Sequence, residues 1–302
     1  MTHHLTGLIA APFTALRPDG SLNLDLIEQQ AESLLKNQVT GAFVCGTTGE
    51  GVSLSTEERM QVAERWAQAS RGRLTLIIHA GHNSLPDARA LAAHAQRIGA
   101  QAVAITAPTF FKPAAVEDLL AFSAAVAAAA PALPFYYYQI PSFTGVALPV
   151  YDFLAAGVGR IPNLAGAKFT YENLMDYGRC LRDGRFDMLF GRDEMLLAAL
   201  ALGCRGAVGT TYNLAAPLYH RIWKAFEAGD LASAQADQAR AMEFIATFAR
   251  HGGLPAAKAM MKMIGLDCGP VRLPQRNLTA RQCDQLQAEL EQIGFFEYCS
   301  KV

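Results

Sequence analysis

The chain has 302 residues, 51% hydrophobic and 18% charged, enough for a large core; length alone allows two domains, although α/β barrels of this size are commonly one. With 26 Lys+Arg against 27 Asp+Glu the net charge is −1, and without a basic stripe no nucleic-acid partner is expected. Six scattered cysteines (Cys45, Cys180, Cys204, Cys268, Cys283, Cys299), none spaced Cys-x-x-Cys, suit reduced thiols better than a disulfide framework or a zinc site.

The opening Met1-Thr-His-His4 has neither the charged nor the apolar region of a signal peptide, so a cytoplasmic protein is expected. Gly7–Phe13 reads as an apolar strand and Asp19-Gly20 as a turn, followed by a helix over Asn23–Lys36. Strands at Gly41–Cys45, Leu74–His79, Ala102–Ala107 and Phe135–Tyr138 then alternate with helices. The first of those helices opens on the capping box Ser55-Thr-Glu-Glu58 and runs to about Ala69; the others span Leu85–Ile98 and Val116–Ala130, with a short one after Pro149. Leu164–Lys168, Phe186–Phe190 and Arg205–Val208 are strands, followed by helices to Leu181, over Asp193–Leu202 and over Ala215–Ala228. Three more helices (Leu231–Arg250, Pro255–Ile264, Thr279–Ile293, with Gly294 as a stop) complete the chain.

Eight strand-then-helix units predict an α/β fold, a (β/α)8 TIM barrel over 1–229, with 230–302 as a helical extension packed on it. Strands that do not alternate suit a sheet buried on both faces. An open doubly wound sheet would want a glycine-rich turn after the first strand, where Ala11-Pro-Phe-Thr14 stands instead. Leu119 to Tyr151 carries no charge, but Pro131, Pro134, Pro141 and Pro149 interrupt it, and its first apolar part, Leu119–Ala130, falls short of the roughly 20 residues of a membrane span. No membrane partner is expected.

Lys168 ends the apolar run Leu164–Ala167. It is either a snorkelling side chain or a desolvated amine able to attack a carbonyl. Tyr136 and Tyr138 share one face of the fifth strand, and Tyr138 ends it beside Lys168 on the sixth. The loop Gly46-Thr-Thr-Gly-Glu50 offers amides and the hydroxyls of Thr47 and Thr48, a nest for a carboxylate, and Gly209-Thr-Thr211 echoes it after the eighth strand. In Gly191-Arg-Asp-Glu194, Asp193 either caps a helix or, with Glu194, accepts hydrogen bonds from a polyhydroxylated substrate. His79 and His82 have metal-like spacing but no accompanying carboxylate or thiol, and no metal is assigned.

Gly46-Thr-Thr-Gly-Glu50, Tyr138-Gln-Ile-Pro141 with Gly145, Lys168 and Gly209-Thr-Thr-Tyr-Asn213 resemble the N-acetylneuraminate lyase and dihydrodipicolinate synthase superfamily of class I aldolases, over nearly the whole chain. The resemblance implies a tetramer, a pyruvate Schiff base on Lys168, Tyr138 as proton relay, and Thr47 and Thr48 on the keto-acid carboxylate. Phe143 stands where synthase-type members carry an arginine, and Thr109-Phe-Phe-Lys112 where they lend a tyrosine to a neighbouring subunit. Gly191-Arg-Asp-Glu194 resembles the sugar-binding motif of the lyase branch, and Lys168-Phe-Thr170 and Gly269–Pro274 resemble the animal-type lyases more than the bacterial prototype. That branch implies sugar contacts from Thr170, Gly191, Asp193, Glu194 and Thr210, sialic acid cleavage to pyruvate and N-acetylmannosamine, and no cofactor. The alternatives are an aldolase of 2-keto-3-deoxy sugar acids and a synthase-like enzyme.

Overall fold

Apolar runs too short to fill a helical face, each followed by an amphipathic stretch, make strands that are satisfied only when covered on both sides. In the computed structural model, which describes residues 4–302, eight of them close into a parallel barrel in chain order, with the first pairing the eighth. They are β1 (Gly7–Ala10), β2 (Gly41–Val44), β3 (Thr75–His79), β4 (Ala102–Thr106), β5 (Phe135–Gln139), β6 (Leu164–Phe169), β7 (Asp187–Phe190) and β8 (Gly206–Gly209). The start of the segment read for a signal peptide, residues 1–3, lies outside the described residues.

The helices are α1 (Leu26–Lys36), α2 (Thr56–Ser70), α3 (Leu85–Arg97), α4 (Val116–Ala127), α5 (Pro141–Thr144), α6 (Val150–Gly157), α7 (Leu174–Asp183), α8 (Leu196–Ala201), α9 (Tyr212–Glu227), α10 (Leu231–Arg250), α11 (Leu254–Met263) and α12 (Ala280–Gln292). The capping box at Ser55 and Glu58 forms as expected. Several boundaries differ from the sequence reading: β1 stops at Ala10 instead of Phe13 and α4 at Ala127 instead of Ala130. Helix α1 begins at Leu26 instead of Asn23. The four-residue α5, with Pro141 in its first turn and Gly145 left-handed after it, is too short to show a period. Asp193–Met195 forms a 3-10 turn before α8. Helix α9 starts at Tyr212 and breaks at Ala215, two residues before Pro217, because proline cannot supply the N–H that an unbroken helix needs there.

Two apolar layers result. Ile9, Phe43, Ile77, Tyr136, Tyr138, Leu189 and Val208 fill the barrel interior. A larger layer, including Phe135, Tyr137, Ala167 and Phe169, lies between strands and helices. Strand β6 carries an irregularity: Phe135 pairs with Leu164 but Tyr136 with Gly166, so Ala165 is an extra residue, a bulge. Leu164 packs in the outer layer, and a strict two-residue period would send Lys168 outward with it. The bulge reverses the parity and turns Lys168 inward. Gly166 is required beside it, because a Cβ there would collide with the Asp187 carbonyl.

The uncharged stretch Leu119–Tyr151 resolves into most of α4, then β5, α5 and the start of α6, and among the described residues no helix is long and apolar enough to cross a membrane. Helix α10 packs along α9, and α11 touches both. The chain end is fastened under α9, where the Ser300 N–H donates to Leu214 O at 2.7 Å and Ser300 Oγ accepts from the Ala216 N–H at 3.1 Å.

Candidate active site

Strand ends at one barrel mouth gather the candidate residues. Tyr138 and Lys168 are register partners on β5 and β6, and Lys168 Nζ lies 4.0 Å from the centre of the Tyr138 ring and 4.3 Å from that of Phe43. Lys168 is 4% exposed, and among the described residues it makes no ion pair. Burial pushes its ammonium down to about 7, against a partial pull back from Asp193. This is the desolvated amine of the two sequence alternatives, because a snorkelling lysine would hold its charge in water. Phe43, absent from the sequence reading, supplies the second aromatic face; its inward place in β2 was the available signal.

Tyr138 is buried, which pushes its phenol up to about 12, while its hydrogen bond with the Thr47 hydroxyl acts in the opposite sense. Its Oη lies 3.1 Å from Thr47 Oγ1. A neutral phenol next to an amine that releases its proton near neutrality can pass protons without holding charge. Thr48 Oγ1 meets Thr210 Oγ1 at 2.6 Å, joining the loops after β2 and β8 that resembled each other in sequence.

Asp193 does not cap a helix, which corrects one of its two readings. Its Oδ2 accepts from the N–H and Oγ1 of Thr211 at 3.0 and 2.6 Å. Its Oδ1 is buried with no partner among the described residues. Burial raises the carboxyl to about 6, and Gly209 leaves it room, since a Cβ there would strike it. Thr170 Oγ1 is likewise buried without a partner, against Gly191, where a Cβ would also collide with it. Two unsatisfied buried oxygens at one mouth are costly unless a ligand completes them. Glu194 lies further out, its side chain 35% exposed, held by Arg192 at 3.4 Å; Arg192 is also bonded to Glu172.

His79 and His82 do not converge on a common centre. The buried His79 ring has Nδ1 3.1 Å from Cys45 O, and its Nε2 accepts from the Thr106 N–H at 3.3 Å. Burial first, then the neighbouring Arg59, keeps it well below its usual value, hence neutral. His82 Nδ1 accepts from the Ser84 N–H. Glu50 does not face the site either: it accepts from Lys258 Nζ and from the Arg272 N–H, both at 2.9 Å. The sequence reading connected neither partner to Glu50; Lys258 is one of two lysines in the otherwise apolar α11, and Arg272 stands in the Gly269–Pro274 segment.

The group thus combines a buried amine with a lowered pKa, a neutral phenol, a loop of hydroxyls and free amides, and the open acceptors of Asp193 and Thr170. A family model described as the dihydrodipicolinate synthetase family matches residues 4–293. The chain is 42% identical over 301 residues to an N-acetylneuraminate lyase of Rattus norvegicus, covering 97% of this chain and 94% of that one. It is 41% identical over 301 residues to that of Homo sapiens, with the same coverage. The solved structure of Proteus mirabilis N-acetylneuraminate lyase is similar at a TM-score of 0.94 and 42% identity, over 97% of this chain and 100% of the other.

Proposed function

The chain belongs to the dihydrodipicolinate synthetase family, and we propose that within it this protein is an N-acetylneuraminate lyase, a class I aldolase that splits its sugar acid reversibly into pyruvate and N-acetylmannosamine. One observation carries the reading: Lys168 is buried against the Tyr138 and Phe43 rings at the barrel mouth and stays neutral enough to attack. In the proposed sequence its amine adds to the C2 ketone and loses water to give an iminium. The C4 hydroxyl proton passes through the neutral Tyr138 phenol, which hands its own proton to the substrate carboxylate as it takes this one, while the C3–C4 bond breaks and the bonding electrons pass to the iminium. N-acetylmannosamine leaves as the aldehyde. The enamine gains a proton at C3, and water frees pyruvate from Lys168. The iminium is the electron sink, so no metal or organic cofactor enters these steps.

Thr47 and Thr48 are assigned to the carboxylate of the keto acid. Thr170, Gly191, Asp193, Glu194 and Thr210 are assigned to the sugar, supported by the unpartnered Oδ1 of Asp193 and Oγ1 of Thr170. Phe143, 72% exposed on α5, offers no charge for a second carboxylate. N-acetylneuraminate and 2-keto-3-deoxygluconate, offered side by side with pyruvate release measured, should therefore differ strongly in favour of the first. Glu194→Gln should raise KM for the sugar acid and leave the pyruvate imine on Lys168 intact. A higher kcat/KM on the deoxygluconate would overturn the lyase assignment.

We also infer a homotetramer in the cytoplasm. Phe110 and Phe111 stand 79% and 87% exposed on the loop after β4, an apolar surface suited to a second copy, and the cysteines are all unpaired. Light scattering should give four times the chain mass of 32.5 kDa; a monomer at micromolar concentration would contradict it.

A further inference from the structure

Glu50 closes the Gly46-Thr-Thr-Gly-Glu50 loop and has no role in the steps above, yet it is 2% exposed. Its partner Lys258 sits on α11, 3% exposed, and also donates to Pro270 O at 2.6 Å. The Arg272 N–H holds the other carboxylate oxygen, and the Arg272 guanidinium grips Glu58 through both of its oxygens and donates to Ser53 O and Gly20 O. Burying such a pair is expensive, and apolar residues of equal volume often stabilise as well or better; the best-attested use of a buried ion pair is to select one arrangement over its competitors.

The arrangement selected here is the loop itself. Cys45 and Glu50, on either side of it, are non-glycine residues in the left-handed region, with φ of 57° and 53°. Such conformations persist only where the surroundings over-determine them. The Glu50 N–H donates to Thr47 O and the Gly51 N–H to Gly46 O, each at 3.1 Å, while Thr14 Oγ1 donates to Gly49 O at 2.6 Å. Between these anchors the N–H groups of Thr47 and Thr48 donate to nothing among the described residues, and the two hydroxyls meet Tyr138 and Thr210. The direction of those amides and hydroxyls therefore follows from how Glu50 is held.

We propose that Glu50 and Lys258 are positioning residues for the keto-acid site: through this ion pair, helix α11 of the C-terminal extension sets the pitch of the Thr47–Thr48 segment and so the affinity for pyruvate. The inference rests on the pyruvate-imine reading above. Neither residue touches substrate, and their effect passes through the loop.

The test measures borohydride trapping of pyruvate on Lys168 against pyruvate concentration in the full chain, for wild type, Lys258→Met, Glu50→Gln and the double variant. KM for N-acetylmannosamine and the melting curve are recorded beside it. Half-saturating pyruvate should rise at least about tenfold in each single variant, within the roughly hundredfold that a 1 Å misplacement can cost. KM for N-acetylmannosamine should stay within about twofold, and the double variant should be no worse than the singles, since both act through one contact. Should Lys258→Met not fold, Glu50→Gln, which keeps its volume and one acceptor oxygen, carries the test. A purely structural pair would lower the melting temperature and leave half-saturation of the folded fraction unchanged, and that result overturns the proposal. Wild type failing to trap pyruvate at all would instead remove the function reading, and this inference with it.

Discussion

Lys168→Met should lose turnover by at least about 10⁴-fold, the scale on which removal of a covalent nucleophile is felt, and should melt at a higher temperature than wild type at neutral pH. Both follow from one burial. The amine is charged below about 7 in the folded protein and below 10.5, its ordinary value, in the unfolded chain. Below pH 7 both states hold the proton, and the folded state bears the whole cost of the desolvated charge. Between pH 7 and 10.5 the unfolded chain binds more protons, so wild-type stability rises with pH across that window. Methionine carries no proton, so the advantage of the variant should be largest below pH 7, roughly 3–5 kcal/mol, and should shrink towards pH 10.5. In wild type, imine trapping should rise with pH around a midpoint near 7, because only the free amine attacks. A midpoint near 10, or pyruvate found by peptide mass spectrometry on Lys112 instead, would remove Lys168 from its role.

Tyr138→Phe should keep substrate binding and lower kcat by about 10²–10⁴-fold, the usual contribution of a positioned acid or base. The ring under Lys168 Nζ survives, and so does its place against Phe43. Only the hydroxyl 3.1 Å from Thr47 Oγ1 is lost. Because burial pushes the phenol up to about 12, no phenolate is available at pH 7, and the group works as a relay that gains one proton as it hands its own to the substrate carboxylate. The imine with pyruvate should therefore still form at close to the wild-type yield while the C3–C4 bond breaks slowly. An unchanged kcat would show that the proton travels by another route.

The barrel was legible because its signals are local. Apolar runs of four to six residues, amphipathic stretches between them and the capping box at Ser55 each involve residues close in sequence. Strand order alone then placed Tyr138 beside Lys168, since successive strands pair in a parallel barrel. What failed was also local in origin. Helix α5 is too short to show a period, and the break at Ala215 arises where a first turn meets Pro217. Asp193 looked like a cap because aspartate before an apolar run usually is one. Its actual partner, Thr211, lies 18 residues on, at the end of the next strand.

By itself, then, the amino-acid order determined the alternation of strands and helices, the closure of eight units and the two strand ends at which Lys168 and Tyr138 stand. Only the tertiary structure decided which way Lys168 points. Leu164 packs outward against Gly157 of α6, Gly166 passes against the Asp187 carbonyl, and the chain accommodates both by bulging at Ala165, which turns the amine into the barrel. It likewise decided that Glu50 serves Lys258, 208 residues away, and faces no substrate. The physical reason is common to these cases. A side chain's neighbours along the chain set its local conformation, but its desolvation, and with it its charge and reactivity, is set by groups that only folding brings near.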